Sequence, residues 1–172
     1  MNVLQEIDLR VKWPNDIYAG DVKIGGILVE SRLEGNQAVV NLGIGVNVSN
    51  EFPTVSINSL IKNPKEQFST EKLIAKVLTE LEKLLQVMES GDVDKILYLY
   101  TENWIHGCMN DAEEERLVTV EISEGAFTDC SITGIDEFGF LRVTDVTSGH
   151  VFSVRPDGNS FDIANRLIAI KE

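Results

Sequence analysis

The residues best suited to chemistry lie within the first fifty positions of the chain. Lys12-Trp13-Pro14-Asn15-Asp16 places an amide and a carboxylate on a loop whose φ is restricted by its proline. Lys23 directly precedes Ile24-Gly25-Gly26-Ile27, and a third segment reads Asn41-Leu42-Gly43-Ile44-Gly45-Val46-Asn47. Glycines inside an apolar strand mark a bulge, a packing accommodation or a place where a ligand approaches the backbone. With a lysine beside them as a point-charge partner for phosphate or carboxylate, they favour a shallow trough for a flat apolar ligand with an anionic end.

The elements that would position these residues read as an antiparallel meander. Strand patterns cover residues 9–13, 24–30 and 38–48, and turn patterns lie at residues 18–21 and 34–36. Each turn contains a glycine, which tolerates positive φ. Short connections between successive strands predict antiparallel pairing.

The middle of the chain, residues 52–106, has a helical pattern. Ser69 or Thr70 can cap a helix of about 20 residues whose apolar positions recur every three or four residues, and Ser90-Gly91 ends it. Asp92 can cap a second helix. Both apolar stripes are predicted to be core rather than a cofactor site.

The last third of the chain returns to short strands rich in Val, Ile, Thr and Phe, which suggests a small barrel or sandwich. An acid-rich stretch at residues 111–115 is the best linker candidate. The predicted strands are residues 117–122, 128–135, 138–145, 150–154 and 163–170.

Composition and charge exclude several classes of protein. The 172 residues carry 15 Lys plus Arg against 28 Asp plus Glu, a net charge of −13, which argues against nucleic-acid or anionic-membrane binding. Residues 1–49 contribute only −2 of this charge, and residues 110–172 contribute −8. The apolar runs fall far short of the roughly 20 residues that cross a bilayer, and no signal peptide or zinc-ligand cluster is evident. We expect a cytoplasmic protein in which Cys108 and Cys130 are free thiols, a disulfide between them being the alternative.

The three N-terminal motifs, Lys12-Trp13-Pro14-Asn15-Asp16, residues 23–30 and residues 43–47, resemble in order and spacing the catalytic-domain signature of biotin–protein ligases. Residues 154–162 are similar to the C-terminal barrel of the eukaryotic enzymes, the holocarboxylase synthetases. The resemblance covers essentially the entire chain. It implies an α+β fold: a partial class II synthetase-like mixed or antiparallel sheet with helices in residues 1–110, followed by a small SH3-like β-barrel domain in residues 111–172.

The same resemblance implies a reaction. Biotin and ATP are its substrates, with Mg²⁺, and biotinyl-5′-AMP passes its biotinyl group to a lysine of carboxylase carrier domains. Lys23 is implied to be catalytic, because it would contact the biotin carboxylate and the α-phosphate. Lys12 is implied to be structural and Trp13 to be core. The implied ligand contacts are Lys23, Gly25, Gly26, Gly43 and Ile44 for biotin and its adenylate, Asn15, Asp16 and Asn47 for ATP, and Asp16 for Mg²⁺.

One departure from the family pattern qualifies this function. Family members carry a Ser/Thr-containing strand and a Gly-Arg-rich loop upstream of the first motif, whereas eleven residues precede Lys12 here. We therefore expect the latter half of a catalytic domain plus the barrel, active only together with the missing N-terminal part. The alternatives are an inert fragment that binds the carboxylase carrier domain and, more weakly, a lipoate-handling enzyme. An unpaired sheet edge also predicts self-association.

Overall fold

Four consecutive strands, joined by tight turns, build the first sheet of the molecule. In the computed structural model, which describes residues 7–105, 117–156, 159–162 and 166–170, they are β1 (Leu9–Lys12), β2 (Asp16–Ala19), β3 (Val22–Glu34) and β4 (Gln37–Val46). They pair in chain order and every pair is antiparallel, so the predicted meander is confirmed. Gly20 and Gly35, with φ of +55° and +62°, form the turns after β2 and β3.

The short strand β2 was not predicted, because its four residues lack a clear alternation of polar and apolar side chains. It forms because Asp16–Ala19 pair with β1 on one side and with β3 on the other. Tertiary pairing therefore overrides a weak local signal.

The helices follow the sheet and begin at the predicted caps. Helix α1 (Ile57–Leu60) and a 3₁₀ turn (Pro64–Glu66) precede α2 (Thr70–Glu89) and α3 (Val93–Glu102). The Ser69 side chain accepts a hydrogen bond from the Lys72 amide, and the Asp92 side chain accepts one from the Lys95 amide. The two capping residues thus satisfy amides that have no partner inside their helices.

One face of the sheet covers the core of this unit. Its buried residues include Ile24 on β3 and Leu73 on α2, and Ile17 and Val46 pack against them. The prediction that the apolar stripe of α2 is all core is wrong in part, since Ile74 remains 53% exposed and other members are exposed with it. No described segment of this unit covers that part of the helix. The other exposed members are Leu78, Leu84, Leu85 and Met88.

The chain separates into two compact units, Met1–Ile105 and His106–Glu172. In the second unit the strand order is β8-β7-β6-β5-β10-β9, with β10 parallel to β5 and the other pairs antiparallel. The whole is an α+β protein, as predicted. The strands are β5 (Leu117–Ser123), β6 (Ala126–Ile135), β7 (Leu141–Asp145), β8 (Val151–Val154), β9 (Asn159–Asp162) and β10 (Leu167–Ile170).

Two differences from the predicted strands of this unit have a local cause. Strand β7 starts later than predicted, because the Asp136 carboxylate accepts hydrogen bonds from the Phe138 and Phe140 amides and holds residues 136–140 in a turn. Strand β9 was missed because its residues carry turn-forming types. Cys130 is buried with a free thiol, whereas Cys108 and the linker candidate at residues 111–115 lie outside the described residues. The SH3-like barrel stays a prediction.

Within the described part of the chain, no helix is both long enough and apolar enough to span a membrane.

Candidate functional site

One lateral row of residues crosses all four strands of the first sheet and ends in two glycines. Lys12 pairs with Asp16, Asp16 with Gly26, and Gly26 with Gly45. Residues paired across neighbouring strands project to the same face, so the four share one side of the sheet. We call this side the trough face. Two residues further along β3, Leu28 pairs with Gly43 on the same face and is 70% exposed.

A β-bulge brings Lys23 to the trough face. Lys23 and Gly26 are three residues apart, and in a regular strand an odd separation places two side chains on opposite faces. The register shifts between Ile17 and Tyr18 on β2, so that Ile17 pairs with Gly25 and Tyr18 pairs with Lys23. Ile24 is therefore the extra residue of β3, and Lys23 and Gly26 lie on the same face.

The extra residue is itself fixed by the core and by β4. The Ile24 side chain is 1% exposed, and its carbonyl accepts a hydrogen bond of 2.8 Å from the Asn47 amide. The bulge thus joins the second and third sequence motifs while it positions the lysine.

The ammonium of Lys23 meets a carboxylate on the neighbouring strand. Lys23 Nζ lies 2.7 Å from Asp16 Oδ1, with the lysine side chain 54% exposed and the aspartate side chain 22% exposed. Tyr18, opposite Lys23, has its phenol pKa raised by burial and by the Asp16 charge, against a lowering by Lys23. Tyr18 is therefore a neutral phenol at neutral pH beside an ion pair.

The glycines of β3 and β4 differ in the space that their surroundings leave for a Cβ atom. A Cβ on Gly45 would have no atom within 4 Å, and one on Gly43 would touch Leu28 Cβ at 3.8 Å. A Cβ on Gly26 would lie 3.4 Å from Asp16 Oδ1, which is ordinary contact. On Gly25, by contrast, it would lie 2.5 Å from the Gly45 carbonyl oxygen. Packing of the protein therefore requires glycine at Gly25, whereas Gly43 and Gly45 leave an open surface and Gly26 lies in contact distance of Asp16.

Not every predicted site residue faces the trough. Gly25 and Ile44 belong to the opposite face, where Ile44 pairs with Ile27. Asn15 is exposed, and its carbonyl accepts a hydrogen bond from the Ile27 amide. The Asn47 side chain donates to the Val55 carbonyl at 3.3 Å. The sheet thus brings together Lys23, Asp16, Gly26 and Gly43.

Sequence reasoning left two neighbours out of the site, Gly45 and Tyr18. The alternation of Gly43 and Gly45, and of Asp16 and Tyr18, could have indicated them. The signal was hidden because the pairing register of the strands is not visible in the sequence.

The described residues also line concavities away from the trough face. An apolar groove runs between the opposite face of β3–β4 and α2, where Ile27, Ile44, Leu73 and Val77 are among its lining residues. A groove in the second unit is lined by residues that include His150 and Phe152, whose rings stack 6.1 Å apart. Among the described residues no cluster of three His, Cys, Asp or Glu side chains could hold a metal ion, so Asp16 is a single carboxylate.

Comparison with known proteins finds relatives of this sequence. Residues 2–47 match the Biotin/lipoate A/B protein ligase family. The chain is 41% identical to the biotin–protein ligase of Homo sapiens in an alignment of 175 positions, gaps included, that covers 97% of this chain and 23% of that protein. It is 33% identical to the biotin–protein ligase of Schizosaccharomyces pombe in an alignment of 193 positions, gaps included, that covers 97% of this chain and 29% of that protein.

A solved structure shares the fold. The biotin protein ligase from Aquifex aeolicus in complex with biotin and ATP superposes with a TM-score of 0.59 at 18% identity, over 88% of this chain and 64% of that one.

Proposed function

We propose that this chain belongs to the biotin–protein ligase family along the part of those enzymes that it spans, and that it supplies the lysine-bearing part of a biotin-ligating active site. In the first step, a carboxylate oxygen of biotin attacks the α-phosphate of ATP, and pyrophosphate leaves. In the second step, an amine of the acceptor lysine attacks the acyl carbon of biotinyl-5′-AMP, and AMP leaves. We propose carboxylase carrier domains as the acceptor and the cytoplasm as the compartment.

The observation that carries this proposal is the position of Lys23. Its side chain is 54% exposed and lies on the same face as Gly43 and Gly45, where the backbone is bare. A fixed positive charge at this place offsets the repulsion between a carboxylate and a phosphate, and it stabilises the negative charge that grows as they react. Partial exclusion of water by a bound ligand would strengthen that interaction.

The trough face suits the apolar part of the ligand. Glycines without a Cβ let a flat ring lie directly on the strands, and Leu28 adds apolar contact. Ile44 and Gly25 project to the opposite face, so they would support the ligand only through the backbone of the strands on which it lies. Asn15 directly precedes β2 and Asn47 directly follows β4, and we propose that both contact the nucleotide.

Magnesium fits this site as a companion of the triphosphate. Mg²⁺ keeps several waters and binds through one or two carboxylates together with phosphate oxygens. Asp16 offers one partly exposed carboxylate beside Lys23. When bound, the ion would neutralise charge on the phosphate chain, and Asp16 would orient it from the trough face.

We propose that ligation also requires segments of the relatives that lie outside the span of this chain. The chain spans 23% of the human ligase and 29% of the fission yeast ligase. One exposed lysine supplies a single point charge, whereas a triphosphate carries several negative charges.

Calorimetric titration of the chain with biotinyl-5′-AMP tests the proposal. We expect binding by the unmodified chain, loss of about tenfold in affinity in Lys23→Met, and partial recovery in Lys23→Arg, because the arginine keeps the charge. Lys83→Met, which removes an exposed lysine from α2, is the matched control and should bind like the unmodified chain. Binding of an apo carrier domain without binding of the adenylate would instead support the inert carrier-binding module.

A further inference from the structure

Tyr18 lies directly opposite Lys23 in the sheet. The two residues pair across β2 and β3, so both side chains project to the trough face, and directly paired residues have their Cβ atoms about 5 Å apart. Tyr18 is half-buried, whereas the lysine side chain is 54% exposed. The ring is therefore positioned beside the aliphatic stem of the lysine.

The Lys23 side chain runs along the sheet and away from its pairing partner. Its Nζ reaches Asp16 Oδ1 at 2.7 Å, and Asp16 is the neighbour of Tyr18 on the same face of β2. Its Cε would lie 3.9 Å from a Cβ on Gly26. The ammonium thus lies beside the pair of Asp16 and Gly26, two positions along β2 from Tyr18 and next to the bare strand surface.

This orientation has to persist when a ligand binds. Ordering a lysine side chain is costly in conformational entropy, and in the ligand-free chain the Asp16 carboxylate offsets that cost through the ammonium. A phosphate would compete with this carboxylate for the same ammonium. A constraint on the stem of Lys23, in contrast, acts whichever anion the ammonium meets.

The Tyr18 ring is suited to this task because it is itself held from β1. Lys12 Nζ lies 5.8 Å from the ring centroid, which is a cation–π distance, and Lys12 is only 8% exposed. Burial and the Asp16 charge raise the phenol pKa while the Lys23 charge lowers it, so the phenol is within electrostatic reach of both members of the ion pair. A buried lysine on one strand thus fixes the ring that faces the exposed lysine on another.

We propose that Tyr18 is a positioning residue whose ring restricts the stem of Lys23, so that the ammonium stays directed to the trough face as it passes from Asp16 to the anionic group of the ligand. This inference rests on the proposed function of Lys23. It assigns the effect to the aromatic ring and not to the phenol hydroxyl.

Calorimetric titration of the full 172-residue chain with biotinyl-5′-AMP tests this role, and circular dichroism at the titration temperature establishes that each variant is folded. Tyr18→Ala should weaken binding about tenfold, because the ligand must then order the lysine side chain itself. Tyr18→Phe should keep most of the affinity, since it keeps the ring. If Tyr18→Ala does not fold, Tyr18→Val replaces it, because a β-branched residue suits the strand and lacks the ring.

A double-mutant cycle separates positioning from a structural role. In the Lys23→Met background, Tyr18→Ala should weaken binding by less than about twofold, because the ring acts through the lysine. A structural role would cost the same affinity in both backgrounds. Tyr98→Ala, at an exposed tyrosine of α3, is the matched control and should bind like the unmodified chain.

The outcomes distinguish this inference from the proposed function. Equal loss of affinity with and without Lys23, no loss in Tyr18→Ala, or a loss in Tyr18→Phe as large as in Tyr18→Ala overturns the positioning role of the ring and leaves the function of Lys23 standing. Failure of the unmodified chain to bind biotinyl-5′-AMP, or unchanged affinity in Lys23→Met, overturns the proposed function and this inference with it.

Discussion

The ammonium of Lys23 and the carboxylate of Asp16 meet at 2.7 Å because β3 contains one more residue than β2 between their paired positions. The extra residue, Ile24, is buried, and its carbonyl holds the Asn47 amide. This single β-bulge therefore connects the three sequence motifs and places the Lys23 ammonium beside a bare strand surface.

Truncation of the buried side chain at the bulge should destabilise the fold. Ile24→Ala removes a side chain that is 1% exposed, and we expect a loss of about 2–5 kcal/mol in the free energy of unfolding, from lost burial and the cavity left behind. Val29→Ala, on the same strand but 61% exposed, should change that free energy by no more than about 0.5 kcal/mol. Urea unfolding measures both, and equal effects would contradict the assignment of Ile24 to the core.

Substitution by alanine should have different effects at two glycines on paired strands, lowering stability at Gly25 and ligand affinity at Gly45. Gly25→Ala should destabilise the fold by about 1–3 kcal/mol, because its Cβ would lie 2.5 Å from the Gly45 carbonyl oxygen. Gly45→Ala has open space and should keep the melting temperature, yet it should weaken biotinyl-5′-AMP binding, because the methyl group fills the trough face. Thermal melting and calorimetry distinguish the two effects. Unchanged affinity in Gly45→Ala would mean that the ligand does not lie on this strand.

The opposite face of β3–β4 should drive the chain to associate. Val40 is 55% exposed there, alongside exposed Val29 and Leu42, and contiguous apolar surface favours contact with another molecule. We expect Val40→Lys to reduce concentration-dependent association in sedimentation velocity. Gln37→Lys adds the same charge to the other face of the same strand and should not reduce it. A chain that is monomeric at every concentration would refute the prediction of self-association.

The second unit should lose stability at low pH through Asp145. The Thr128 hydroxyl and the Ser148 and Thr147 amides donate to this carboxylate and lower its pKa to about 2 from an ordinary value of 3.8. Because the folded state favours the ionised form, the stabilisation is complete above the unfolded-state pKa and is lost as the pH falls towards the folded-state value.

Asp145→Asn should therefore lower the melting temperature at pH 7. The difference from the unmodified chain should shrink as the pH falls from about 4 to about 2. Melting of the full chain, followed through the amide resonances of β6 and β7, measures this. Glu137→Gln, which removes the same charge from an exposed turn, controls for net charge. A difference independent of pH would contradict the role assigned to the carboxylate.

Local signals predicted the elements better than they predicted the site. Caps and apolar spacing sufficed for α2 and α3, because both act within a few residues along the chain. The site depends on pairing between strands, and a bulge changes which side chains share a face without leaving a pattern in the sequence. For this reason the sequence did not indicate that Lys23, Gly26 and Gly45 share one face of the sheet, nor that Ile44 lies on the opposite face.

A crystal structure of the chain with biotinyl-5′-AMP tests whether the trough face is the adenylate site. We predict that the phosphate lies within ion-pairing distance, about 4 Å, of Lys23 Nζ, with the ligand rings on Gly26, Gly43 and Gly45. Binding in the apolar groove between Ile44 and α2, or in the groove beside His150 in the second unit, would contradict the assignment of the trough face as the adenylate site.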